Sequence, residues 1–251
     1  MPQMPATALA DALDIVRRAD AKGIPLRLVG GRAVQALCPD LPPRVRDGQD
    51  LDLATTSKAR KALAGHLEQE GFEADRHFNA LYGHKQLFFR SADHTLDVLV
   101  DRLEMCHTLE FADRLDRLPA TLDVTDLLLS KLQIVELNEK DLHDVVYLLA
   151  GFEVAPGENP GTIALDRWND VLGDDWGWWR TVTGNLDRLE HHAETVRRHT
   201  PPNAPCEPSA QAERLHEAAA DAPKSLRWRM RAKVGERKRW YEVPEETPHP
   251  D

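Results

Sequence analysis

The chain has 251 residues, 41% hydrophobic and 29% charged, which suits a folded protein with a sizeable core and excludes a disordered one. Its net charge of −10 argues against non-specific nucleic-acid binding by the body as a whole. No stretch is long and apolar enough to cross a bilayer, the N-terminus lacks a secretory pattern, and Cys38, Cys106 and Cys206 are scattered without metal-ligand spacing, so a cytoplasmic protein with reduced thiols is expected.

In chain order, the spacing of Leu9, Leu13, Ile15 and Val16 predicts a helix over Thr7 to Ala21, stopped at Lys22-Gly23. Ile24 to Val29 reads as a short strand, the pair Gly30-Gly31 as a turn, and Arg32 to Leu37 as a helix starting directly after it. A loop rich in Pro and Arg covers Cys38 to Gln49. Asp50 to Ala54 alternates polar with apolar residues as a half-buried strand does. A helix capped by Ser57 and stopped at Gly71 follows, then strands at Lys85 to Arg90, Thr95 to Val100 and Leu109 to Ala112. From Thr125 the pattern is helical, Asp126 to Leu137 and then Glu139 to Leu149, ending at Gly151. Glu153 to Gly161, with two prolines and two glycines, reads as a linker. Beyond it lie Trp168, Trp176, Trp178 and Trp179, a helix from Thr183 to His199, a proline-rich break from Pro201 to Pro208, and a last helix from Ala210 to Ala220.

Three features combine into a candidate site. Asp50 and Asp52, at alternate positions of one strand, share a face. Asp97 supplies a third carboxylate from another strand, and three carboxylates that converge without a cation repel one another. Magnesium wants such hard oxygens, usually one or two Asp plus substrate phosphates. Gly30 and Gly31 present no side chains, so backbone N–H groups and the following helix N-terminus can approach a triphosphate. Together these parts point to attack of a hydroxyl on the α-phosphorus of an NTP, a reaction that asks mainly for positioning and charge neutralisation.

The order Leu28-Val-Gly-Gly-Arg-Ala-Val34, Arg46-x-x-x-Asp50-Leu-Asp-Leu53, Leu96-Asp-Val-Leu99, Asp126-Leu-Leu-Leu-Ser-Lys131 and Lys140-Asp-Leu-His-Asp-Val-Val-Tyr-Leu-Leu149 resembles the AbiEii-type nucleotidyltransferases, a branch of the polymerase-beta-like superfamily. The resemblance covers about residues 24–150. It implies an α/β (α+β mixed sheet) core with a helical C-terminal region: a nucleotidyltransferase core over 1–120, a helical pair completing the active site over 121–152, and a helical extension with a basic tail over 162–251. It also implies metal ligation by Asp50, Asp52 and Asp97, with Mg2+ or Mn2+ as cofactor and an NTP as substrate. Nucleotide contacts fall on Gly30, Gly31, Arg46 and Lys131, and Lys131 and Asp141 join the catalytic set. Gly48 departs from the Ser or Thr that the family often places two residues before its first aspartate, and the loop before it is richer in proline.

Several acceptors are compatible with this chemistry. In the resembling family some members are toxins that modify tRNA ends, which implies tRNA or another RNA as acceptor and a cognate antitoxin as partner. The alternative keeps the transfer and changes the acceptor to an aminoglycoside-like small molecule, and a second alternative is a non-catalytic nucleotide- or partner-binding module. Residues 224–240 carry eight Lys or Arg against one Glu, a local charge of +7 that leaves −17 for the rest. That segment, with Trp228 and Trp240 interleaved, either tracks a nucleic-acid backbone or docks on the acidic body. Trp176, Trp178 and Trp179 are expected to anchor a helix on the catalytic core, and the histidines form no tight ligand set.

Overall fold

The computed structural model describes residues 7–40, 50–191, 196–198, 200 and 202–244. Helix α1 (Thr7–Asp20) leads through the short strand β1 (Arg27–Leu28) into α2 (Gly30–Leu37). Strand β2 (Asp50–Thr55), α3 (Arg60–Gln69), β3 (Glu73–Ala74), α4 (Arg76–Tyr82), β4 (Gln86–Arg90) and β5 (Thr95–Val100) follow. The strands form one mixed sheet in the order β1-β2-β5-β4-β3, in which β2 and β5 run parallel and every other pair antiparallel. The fold class is therefore mixed α/β.

Alternation in the two parallel strands separates the faces. Leu51, Leu53, Leu96 and Val98 are at most 1% exposed and form the sheet's buried side, each contributing about 1.5–3 kcal/mol. Asp50, Asp52, Thr95 and Asp97 lie on the opposite face by the period of two. Strand β1 is shorter than expected because Pro25 has no N–H to give a ladder; Leu28 instead exchanges hydrogen bonds with Ala120 and Leu122 on its other side. The sequence pattern missed β3 and α4, whose start is capped by Asp75 accepting from the Phe78 amide at 2.8 Å. Ser57 does not cap α3: its amide donates to Asp101, and the cap position is Ala59.

The hairpin β6 (Arg102–Glu104) and β7 (Thr108–Glu110) leads to α5 (Val124–Leu132) and α6 (Glu139–Gly151). Helix α5 ends five residues before the expected Leu137, because the Asn185 amide donates to the carbonyls of both Leu132 and Ile134 and holds the chain out of the helix. The linker expected over Glu153 to Gly161 contains β8 (Val154–Ala155), which pairs in parallel with β9 (Ile163–Ala164) just beyond it. Helices α7 (Leu165–Asp174), α8 (Trp176–His191), α9 (Pro208–Asp221) and α10 (Leu226–Val234) complete the chain. Part of the helix expected over Thr183 to His199 lies outside the described residues. One apolar cluster runs from Ala12 to Ala219, so sheet and helices share a core.

Charge fixes the seams of this second half. Asp123 and Asp126, both buried at the start of α5, are met by Arg114 at 2.5 and 2.6 Å, and Arg167 of α7 reaches Asp126 at 2.8 Å. Burial acts to lower the Arg114 pKa and is outweighed by Asp126 and Asp123, which hold the guanidinium charged. Of the three tryptophans expected to anchor a helix on the core, Trp178 reaches it, donating to the Thr108 carbonyl of β7, whereas Trp179 donates to the Ala219 carbonyl of α9 and Trp176 meets Trp240.

The basic segment docks on the body. It forms α10, a helix the sequence pattern did not show, and Arg227 pairs with Asp175 at 3.1 Å while Arg180 meets Glu236 at 2.5 Å. The Trp240 indole donates to Thr181 at 3.0 Å, and the same hydroxyl lies 2.8 Å from the His107 ring in the β6–β7 turn. An indole only donates, so Thr181 accepts from Trp240 and can give its own proton to a neutral imidazole.

Burial lowers the His107 pKa to about 4, with Asp175 acting in the opposite sense. The folded chain thus binds fewer protons than the unfolded one between that value and the ordinary histidine pKa of about 6.5. Stability should fall as pH drops through this window, by up to roughly 3 kcal/mol. Urea unfolding at a series of pH values is expected to show a shallower slope there for His107→Gln than for the native chain.

Candidate active site

Strands β2 and β5 set the carboxylates. Their parallel register aligns Asp50 with Thr95 and Asp52 with Asp97. Asp50 accepts a hydrogen bond from the Thr95 hydroxyl. The Gln86 amide on β4 lies 2.6 and 2.7 Å from the two Asp97 oxygens, which fixes that side chain and offsets part of its charge. Asp50 and Asp52 are exposed and Asp97 is half-buried. All three expected carboxylates thus share one open sheet face.

The glycine pair lies within α2 rather than in a turn before it. Gly30 has φ +60°, a left-handed conformation that glycine adopts without steric cost. A Cβ on Gly30 would stand 2.5 Å from the Asp52 Oδ2, so the absence of a side chain lets the helix begin against that carboxylate. The Val29 amide donates to the Asp52 carbonyl at 3.0 Å and locks the two segments together. Gly31 is buried and is not among the residues with positive φ. The positive end of the helix dipole therefore faces the carboxylate pair.

Arg32, in the first turn of α2, is a residue to which the motif reading gave no role. Burial lowers its pKa, and the charge of Asp52 opposes that. Its signal was adjacency alone: it directly follows the glycine pair. Arg46, expected to contact phosphate, lies outside the described residues, as does Gly48.

Lys131 and Asp141 do meet, at 2.8 Å, and Asp144 joins them at 3.1 Å. The three side chains are at most 13% exposed, and the Asn138 amide also donates to Asp141 at 2.7 Å. Cys38, just past the end of α2, feels the same cluster: burial and then Asp144 push its thiol up to about 12, so it stays protonated. Gly30 against Asp52 and Cys38 beside Asp144 put the two groups at opposite ends of α2, a helix on the order of 12 Å long. Lys131 is thus paired with two carboxylates of α6.

The donor set fits a hard divalent cation. Asp50 and Asp52 present carboxylate oxygens on an open face, and glycine keeps the space beside Asp52 clear of a side chain. Among the described residues no three His, Cys, Asp or Glu side chains are gathered closely enough to hold a metal ion unaided. A cation held here would take its remaining oxygens from water and phosphate, as magnesium ordinarily does.

No protein-family model matches the chain, and no curated protein does. Solved structures similar to it include ANT(2″)-Ia in complex with adenylyl-2″-tobramycin, 15% identical over 57% of this chain and 88% of that one, with a TM-score of 0.39. The lincomycin-bound lincosamide antibiotic adenylyltransferase LnuA is 16% identical over 59% and 98%, at 0.41. An antigenic nucleotidyltransferase-like protein from Paracoccidioides brasiliensis is 12% identical over 81% and 95%, also at 0.41. These likenesses are shallow, and the functional reading rests on the residues of the site.

Three substitutions separate the roles of these residues. Gly23 has φ +70° and nothing within 4 Å of where a Cβ would stand, so Gly23→Ala should cost only the left-handed strain of about 1–2 kcal/mol. Gly30→Ala adds a clash with Asp52 and should cost more in denaturant unfolding. Lys131→Met leaves Asp141 and Asp144 buried beside each other and should destabilise by about 3–5 kcal/mol in the same measurement.

Proposed function

We propose that the chain is a divalent-metal-dependent nucleotidyltransferase of the AbiEii type, which moves a nucleoside monophosphate from an NTP to an acceptor hydroxyl. The observation that carries this reading is the left-handed Gly30 at the start of α2, set so close to Asp52 that a Cβ there would stand 2.5 Å from the carboxylate oxygen. It puts the N–H groups of a helix start and two exposed carboxylates side by side, which is what binding a triphosphate through a cation demands.

The roles follow from position. Asp50 and Asp52 would hold Mg2+ or Mn2+, which when bound supplies charge neutralisation for the phosphates. The backbone at Gly30 and Gly31 receives phosphate oxygens, and Arg32 and Arg46 add positive charge. Asp97, oriented by Gln86, takes the proton of the acceptor hydroxyl as its oxygen attacks the α-phosphorus and pyrophosphate leaves. Lys131 and Asp141 act as a positioning pair that fastens α6 to α5. The acceptor belongs to one of two classes, tRNA or another RNA, or an aminoglycoside-like cation. In the first class a cognate antitoxin is the expected protein partner, and the cytoplasm is the expected compartment.

Incubation with labelled NTPs, a divalent cation, and either total tRNA or an aminoglycoside panel tests the proposal. Label should move to one acceptor class, and the Asp50→Asn, Asp52→Asn double variant should lose at least about a thousandfold of that rate. Transfer that survives in the double variant would remove the metal mechanism. A native chain that binds NTP without any transfer would leave the non-catalytic binding module as the better reading.

A further inference from the structure

A second charged feature lies away from the strand aspartates. Between the start of α8 and the segment after α10 is a cleft of about 360 Å³, walled by Trp176, Trp240 and Tyr241 and by Arg227, Arg231 and Arg239. Asp175 and Glu242 also line it. Asp175 is already used: one oxygen accepts from the Gly177 and Trp178 amides at the start of α8 and the other pairs with Arg227. The Arg231 guanidinium sits 4.8 Å from the centre of the Trp176 ring and donates to the Gly235 and Lys238 carbonyls, so it braces the wall. The exposed Arg239 lies 5.7 Å from the Tyr241 ring, and Lys238, its neighbour in the chain, is exposed as well.

We propose that this cleft binds single-stranded nucleic acid, with the Tyr241 ring offering a stacking surface to a base and Arg239 and Lys238 meeting the adjacent phosphates. Single strands are held by this combination, a basic track beside aromatic rings, because every base has a stacking face and every linkage a charge. The chain's net charge of −10 makes the +7 of residues 224–240 a local exception, so a polyanion is directed to this end of the molecule. The path beyond the cleft has direction. Glu242, Val243 and Pro244 pass on to line a smaller pocket of about 150 Å³ with Gln86, the residue that holds Asp97. A strand seated on the aromatic wall would therefore have a route toward the open sheet face. This binding goes beyond the catalytic reading and stands without it.

Fluorescence anisotropy of labelled oligo(U), oligo(dT) and a duplex of equal length, between about 50 and 200 mM salt, tests the cleft in the full chain. The expected result is single-strand binding that weakens with salt, and the RNA and DNA arms show which sugar the cleft prefers. Lys238→Gln with Arg239→Gln, both exposed, should weaken binding about fivefold or more and lower the salt slope by about 0.7 for each phosphate no longer neutralised. Tyr241→Ala should weaken it by about five- to tenfold while Tyr241→Phe retains it. Single-strand affinity that these variants leave unchanged, preference for the duplex, or no binding of either single strand would overturn the proposal. Repeating the titration in the Asp50→Asn, Asp52→Asn variant separates it from catalysis, since binding should persist there when transfer is lost.

Discussion

The close approach of Gly30 to Asp52 is the constraint from which the rest of the open face follows. Bringing a helix start against the Asp52 carboxylate as it stands favours a residue without a Cβ, and φ +60° favours the same residue. Both conditions are met at one position. The Val29 amide bonded to the Asp52 carbonyl then holds strand and helix in a single register. The parallel alignment of β2 with β5 carries that order to Asp97, and Gln86 fixes the last carboxylate from the neighbouring strand.

The chain manages like charge by two different means. On the sheet face, three acidic side chains share space with neutral donors, Thr95 and Gln86, and with the positive end of α2. In the interior, carboxylates are met by full cations: Asp123 and Asp126 by Arg114 and Arg167, Asp141 and Asp144 by Lys131. Buried charges without such partners would cost several kcal/mol each, in the range of about 3–5 when one partner is removed.

The C-terminal segment joins both themes. Its Arg227 pairs with Asp174 and Asp175, its Glu236 meets Arg180 of α8, and its tryptophans meet Trp176 and Trp179 edge-on. Part of its charge is thereby consumed within the chain, while Lys238 and Arg239 stay exposed. The two roles open to this segment are therefore divided between its residues: some dock, and others face outward.

Much of this was legible in the sequence, for reasons that are local. Period-two alternation in Asp50-Leu-Asp-Leu and Thr-Leu-Asp-Val showed which residues share a face, because strand geometry leaves no other option. Glycine pairs and caps likewise act within a few residues. What required the tertiary structure was everything set by distant partners: that Lys131 is claimed by Asp141 and Asp144 across two helices, that the charge of Asp52 acts on Arg32, that Asn185 ends α5, and that the basic segment becomes a helix on α8. A side chain's spacing records the face it occupies, but its charge is answered only by whatever the fold places opposite. By itself the sequence determined the candidate acids and their common face; the packing of α5, α6, α8 and α10 decided which charges pair within the chain, because pairing depends on proximity in space rather than along the chain.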